Sequence, residues 1–213
     1  MIHLLLAIIY LSFISLGLPD SLLGAAWPSM FGQFAVPVSY AGIVSMIVSA
    51  GTVVSSLNGD RLTKRLGTGL VTALSVALTA VALLGFSFST SFWLICLWAI
   101  PYGLGAGSID AALNNYVALH YASRHMSWLH CMWGVGTIIG PYLIGFSLTH
   151  GGSWNGGYRG VFLFQLLLTA ILFISLPLWK KNQTTQGGES EATAAPIPLK
   201  QVLKIPGAKQ VMI

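Results

Sequence analysis

Two acids, Asp20 and Asp110, lie inside long apolar stretches, and each closes the same kind of tetrapeptide, Gly17-Leu-Pro-Asp20 and Gly107-Ser-Ile-Asp110. An aspartate at the centre of a membrane helix costs roughly 2.5–3.5 kcal/mol on insertion scales, so a pair of them calls for a purpose. The chemistry on offer is proton carriage. Low dielectric disfavours the charged form of a carboxylic acid and brings reversible protonation within physiological reach. The alternative is an acid neutralised by a buried base, yet no Lys or Arg lies deep in these apolar stretches.

Other polar residues group around the acids by helical spacing. Gly103, Gly107, Asp110 and Asn114 fall on one stripe, and Phe13, Gly17, Asp20 and Gly24 form a matching one. Asn114 can donate and accept at once, as recognition of a hydroxyl-rich neutral solute requires; helix–helix hydrogen bonding is the other reading. His130 opens a stripe with Gly134, Thr137 and Pro141, and an imidazole with an ordinary pKa of about 6.5 suits a proton relay. The plainer reading is a neutral histidine bonded to a neighbouring helix. Trp27, Tyr102 and Trp133 offer aromatic faces to a ring, or simply pack; Gln165 is a further solute-binding candidate with a structural alternative. The expected proton-coupling set is therefore Asp20, Asp110 and His130. The expected solute-binding set is Asp20, Asp110, Asn114, Trp27, Trp133 and Gln165. Cys96 and Cys131 lack metal-ligand spacing, so neither a metal nor another cofactor is expected.

The elements that must position these groups follow from composition. Of 213 residues 55% are hydrophobic and only 7% charged, against about 25% charged in globular proteins, and mean hydropathy is +0.78. Too few charges remain to build a water-facing surface. Apolar segments at 3–30, 39–58, 68–88, 92–120, 126–150 and 161–179 are each long enough to cross a core of about 30 Å. The fold class is an all-α membrane protein, a six-helix bundle over 1–180. Residues 181–206 read as a polar linker, and 207–213 as the start of a truncated seventh helix. The first segment lacks the basic flank of a signal peptide and is retained as a membrane helix.

A net charge of +5 would suggest nucleic acid in a soluble protein, but nine of the ten Lys and Arg fall in alternate connections on one side of the spans. That is a topology signal, and no nucleic-acid partner is expected. It places the N-terminus and the linker in the cytoplasm, most naturally of a bacterial inner membrane. Trp93, Trp128, Trp154 and Trp179 stand near span ends, as an aromatic belt would. Pro28, Pro101 and Pro141 mark expected bends.

The repeated Gly-x-x-Asp pairs span one with span four. Three spans separate them, so the two run in opposite directions, the inverted three-plus-three arrangement of many secondary transporters. These features resemble the N-terminal half of a major facilitator superfamily transporter, and more closely its fucose and glucose proton-symporter branch. The segments that carry the likeness are Gly17–Asp20 with Trp27-Pro28, Gly107 through Asn115, and His130 through Pro141. The resemblance implies that the acids matching Asp20 and Asp110 serve proton coupling and sugar binding. It also implies that Asp60, Arg61, Lys64 and Arg65 match the charged positions of the superfamily's loop motif, with Ser56 and Thr63 where that motif has glycines. A second six-helix half is implied beyond residue 213.

The function expected is proton-coupled symport of a sugar or other small polar solute by alternating access. An exporter of drugs or metabolites, or a transporter-derived sensor, would use the same fold. An intramembrane serine protease does not fit: Gly105-Ala-Gly-Ser108 is followed by Ile109, and no histidine lies at matching depth. No enzyme activity is expected.

Overall fold

In lipid the backbone finds no water, so it must bond to itself. The computed structural model describes residues 2–186, with side chains over 4–179, and it is all-helical there. Helix α1 is Ile2–Asp20, α2 Leu22–Gln33, α3 Ala41–Leu66, α4 Thr68–Phe88, α5 Phe92–His120, α6 Arg124–Thr149 and α7 Trp154–Gln186, with a 3-10 turn at Val38–Tyr40. Among the described residues six stretches are long and apolar enough to cross a membrane: Leu4–Gln33, Val38–Leu66, Thr68–Phe88, Phe92–His120, Arg124–Thr149 and Trp154–Trp179. Residues up to Trp179 form one compact unit, with Leu5, Ile9, Phe13, Leu83, Ile109 and Leu113 in its core.

The structure departs from the expected segments in four places. The first span is two helices: α1 ends at Asp20, and α2 restarts at Leu22. Pro19 has no N–H to give the Ser15 carbonyl, and the ladder fails just beyond it. The prolines expected to bend their spans, Pro28, Pro101 and Pro141, lie inside α2, α5 and α6, where each removes one backbone donor. Helix α3 runs on to Leu66, where Gly67, at a φ of 81°, turns the chain directly into α4. The sixth span begins at Trp154, seven residues before the expected 161, and its helix continues through Gln186 into the stretch read as linker. The remainder of that linker and the seventh helix at 207–213 lie outside the described residues.

Two helix crossings organise the unit. Helix α1 packs along α6, and α5 packs along α3 and also along α4. Counted as spans, the first and second of these pairings are one-on-five and four-on-two, which exchange under a repeat that matches each span with the one three further on. The repeated tetrapeptide does the same work in both. A Cβ on Gly17 would run into the carbonyl oxygen of Trp133, and a Cβ on Gly107 into that of Thr52. Gly136 answers from α6, where a Cβ would strike the Ile14 carbonyl. Such small residues let backbones approach where lipid supplies no hydrophobic drive between helices. Hydroxyls then stitch the second crossing, Thr52 donating to the Gly103 carbonyl at 3.4 Å and Ser56 to that of Gly107 at 3.2 Å.

Of the four tryptophans near span ends, Trp93 and Trp128 are exposed, as interfacial residues would be. Trp154 and Trp179 are buried instead: Trp154 donates to Gln33 Oε1 at 2.7 Å, and Trp179 packs on Tyr116 with ring centroids 5.0 Å apart.

Candidate functional site

Asp20 ends α1 at the helix break, and its carboxylate accepts two hydrogen bonds from two other helices. Tyr102 of α5 donates its hydroxyl to Oδ1 at 2.7 Å, and Trp133 of α6 donates its indole N–H to Oδ2 at 2.9 Å. Both donors are neutral. The acid is thus held by dipoles, with no counter-ion among the described residues, and it stays exposed. The sequence offers Tyr102 as an aromatic face; the structure uses its hydroxyl.

Asp110 is half-buried on α5, and Asn114, one turn on, donates its amide to Oδ1 at 2.9 Å. The Asn114 carbonyl oxygen is buried with no hydrogen-bond partner among the described residues. His130 sits on α6 with its ring edge-on to Phe13 at 6.1 Å. Asp110 shares α5 with Tyr102, and His130 shares α6 with Trp133, so the two helices that donate to Asp20 also carry the other two candidates. The three candidate proton carriers therefore cluster on the helices that meet at Asp20: α1, α5 and α6. Among the described residues Lys and Arg keep to the helix ends: Arg61, Lys64 and Arg65 close α3, Arg124 opens α6, Arg159 lies in the second turn of α7, and Lys180 and Lys181 lie in its last two turns.

Two other solute-binding candidates stand apart from the cluster. Trp27 is 4% exposed, donates its indole N–H to the Val38 carbonyl at 2.7 Å and packs edge-on against Phe92. It fastens α2 to the start of the second span. Gln165 is buried on α7; its amide N–H donates to the Ser15 carbonyl at 3.0 Å, and its Oε1 accepts from the Thr79 hydroxyl at 2.9 Å. The Ser15 carbonyl is the one that Pro19 leaves without its helical donor, so Gln165 repairs the defect made at the break. Replacing Gln165 by Leu is expected to cost about 1–3 kcal/mol, the penalty of a buried polar group left unpaired. Thermal unfolding of the purified variant checks this, and an unchanged midpoint would remove the assigned role.

The charged motif lies on the last two turns of α3 and not in a loop. Asp60, Arg61, Lys64 and Arg65 are all exposed there, and Lys64 approaches Asp60 at 4.0 Å as an i, i+4 pair. A pair this exposed contributes at most about 1 kcal/mol.

A further group is not legible in the sequence. Ser45 and Ser49 of α3, Tyr102 and Tyr158 of α7 line a pocket of about 210 Å³ that opens beside Asp20. The only available signal is the i, i+4 spacing of the two serines. Tyr158 falls outside the span expected to begin at 161.

Comparison with known proteins places this geometry in context. The family model for the Major Facilitator Superfamily matches residues 9–212. "Uncharacterized transporter y4wD" of Sinorhizobium fredii is 26% identical over 116 residues, covering 53% of this chain and 31% of that protein. "Uncharacterized MFS-type transporter YcaD" of Salmonella typhimurium is 25% identical over 193 residues, covering 87% of this chain and 48% of that protein. The chain spans about half the length, or less, of the curated relatives it matches.

Proposed function

The chain belongs to the Major Facilitator Superfamily, and from that premise we propose that it forms the first six spans of a proton-coupled symporter for a sugar or similar small polar solute. The solute would be held between this half and a second six-helix half, and the two would rock about it. The N-terminus is cytoplasmic in this reading, and the host bilayer is a bacterial inner membrane.

The observation that supports it best is the pair of acids Asp20 and Asp110, each held by neutral hydrogen-bond donors and without an ion-pair partner among the described residues. Protons can come and go from such acids without breaking an ion pair. Asn114 gives protonation a structural readout. Its NH₂ donates to Asp110 Oδ1; with a proton on that oxygen the acid would donate to the amide oxygen instead, and the side chain would turn over. Proton binding then changes the groups presented to a solute, and the solute in turn changes the affinity for the proton. His130, near the first turns of α6, passes the proton toward the cytoplasmic end.

The reading is tested with the complete transporter in proteoliposomes that carry a pH-sensitive dye in the lumen. Adding solute outside should acidify the lumen as proton and solute enter together. Alkalinisation would assign the protein to the exporters, and solute entry without any pH change would exclude coupling.

A further inference from the structure

The pocket beside Asp20 is lined from α1, α2, α3, α4, α5 and α7 and by no residue of α6, the helix that carries His130. Its polar lining has more hydrogen-bonding capacity than the protein uses. Tyr158 is only 2% exposed, its hydroxyl has no partner among the described residues, and its ring is wedged between Phe86 at 5.5 Å and Trp154 at 5.9 Å. The hydroxyl is not among the sealed polar atoms of the interior, so it is open to the pocket that Tyr158 lines. Ser45 and Ser49, one turn apart on α3, are also without partners among the described residues. Each Asp20 oxygen has accepted one bond and can accept another. Leu83 and Phe86 supply an apolar wall opposite these groups.

We propose that this pocket is a solute subsite that takes a neutral, hydroxyl-bearing ring or chain, with Tyr158, Ser45 and Ser49 reading its hydroxyls and Leu83 and Phe86 covering its C–H face. The proposal rests on the reading of the chain as part of a transporter of small polar solutes and gives that solute a place within this half. Hydroxyls both donate and accept, so three of them match a ligand that does the same. At about 210 Å³ the pocket is smaller than the roughly 300 Å³ at which drug-sized sites begin, so it admits one small solute. Asp20 borders the pocket on one side and meets Trp133 on the other, so the same carboxylate contacts solute and carries the proton.

The test uses the complete transporter purified in detergent, with thermal stability as the binding readout. Glucose, galactose and mannitol are the neutral probes, and choline is the cationic one. At least one neutral probe should raise the unfolding midpoint of the unaltered protein. Tyr158→Phe should weaken that probe's apparent Kd about tenfold, the loss of one hydrogen bond, with an unliganded midpoint equal to or above that of the parent. Leu83→Trp should abolish the response by filling the pocket; Ser49→Phe, at an exposed position, does the same if the core variant fails to fold. Stabilisation by choline alone, or by no probe, overturns the proposal, as does an undiminished response in the Tyr158 and filled-pocket variants. Lumen acidification in proteoliposomes separates the two readings. Acidification with unaltered binding in Tyr158→Phe sinks the subsite alone, and Tyr158-dependent binding without proton movement sinks the coupling alone.

Discussion

With asparagine at position 110, uphill accumulation driven by a pH gradient is expected to fall to an inside-to-outside ratio of about one, while exchange of labelled for unlabelled solute continues. A gradient of about two pH units is worth roughly 2.7 kcal/mol and sustains about 100-fold accumulation at one proton per solute, so the contrast is two orders of magnitude. Asparagine keeps the size of the acid, and its amide can still pair with Asn114, which now donates to Asp110 at 2.9 Å. What it cannot do is bind a proton. Position 110 is a cleaner test than position 20, where an amide NH₂ would be set against one of the two donors, Tyr102 or Trp133, that the carboxylate accepts from. Full uphill uptake in the Asp110→Asn protein would end the assignment of Asp110 as a proton carrier.

Gly17→Val is expected to destabilise the bundle by about 3 kcal/mol, at the upper end of overpacking effects, because the atom in the way is backbone. The added Cβ meets the Trp133 carbonyl oxygen, which cannot turn aside without shifting α6. The same movement would pull the Trp133 indole from Asp20, so transport should fall with stability. Gly24→Ala is the matched comparison. Nothing lies within 4 Å of a Cβ there, and a helical Gly→Ala exchange in open space gains up to about 1 kcal/mol. Unfolding midpoints of the two purified variants should move in opposite directions. A Gly17→Val protein as stable as its parent would mean that α1 and α6 do not cross at this point.

These two glycines also mark where reading the chain in order stops being sufficient. Spacing alone puts Phe13, Gly17, Asp20 and Gly24 on one helical stripe, with equivalent roles for both glycines. The break at Ser21 interrupts that stripe: Gly17 stays in the α1–α6 crossing, while Gly24 rides on α2 and faces open space. The tryptophans behave alike. Trp27 and Trp133 are the same residue in similarly apolar surroundings, yet one indole bonds a backbone carbonyl and the other the candidate proton carrier. Gln165 reads as a solute ligand while its neighbours are unknown, since a lone amide in an apolar span must bond to something. Its partner, a carbonyl freed by a proline 146 positions earlier in the chain, is identifiable only once α7 and α1 lie side by side.

Six membrane-capable helices, the one-sided placement of Lys and Arg and the doubled Gly-x-x-Asp could all be read from the chain, because each depends on the transfer of one segment between water and lipid. Those free energies accumulate locally and require no knowledge of neighbours. Which polar atoms meet is a different quantity. It depends on the rotation and crossing depth of each helix, set here by backbone approaches at Gly17 and Gly107 to segments far away in sequence. The pairing of Asp20 with Tyr102 and Trp133, the repair of the Pro19 break by Gln165 and the unpaired hydroxyl of Tyr158 all follow from those crossings. Composition put two acids into the membrane; the packing of α1, α5 and α6 gave them their partners.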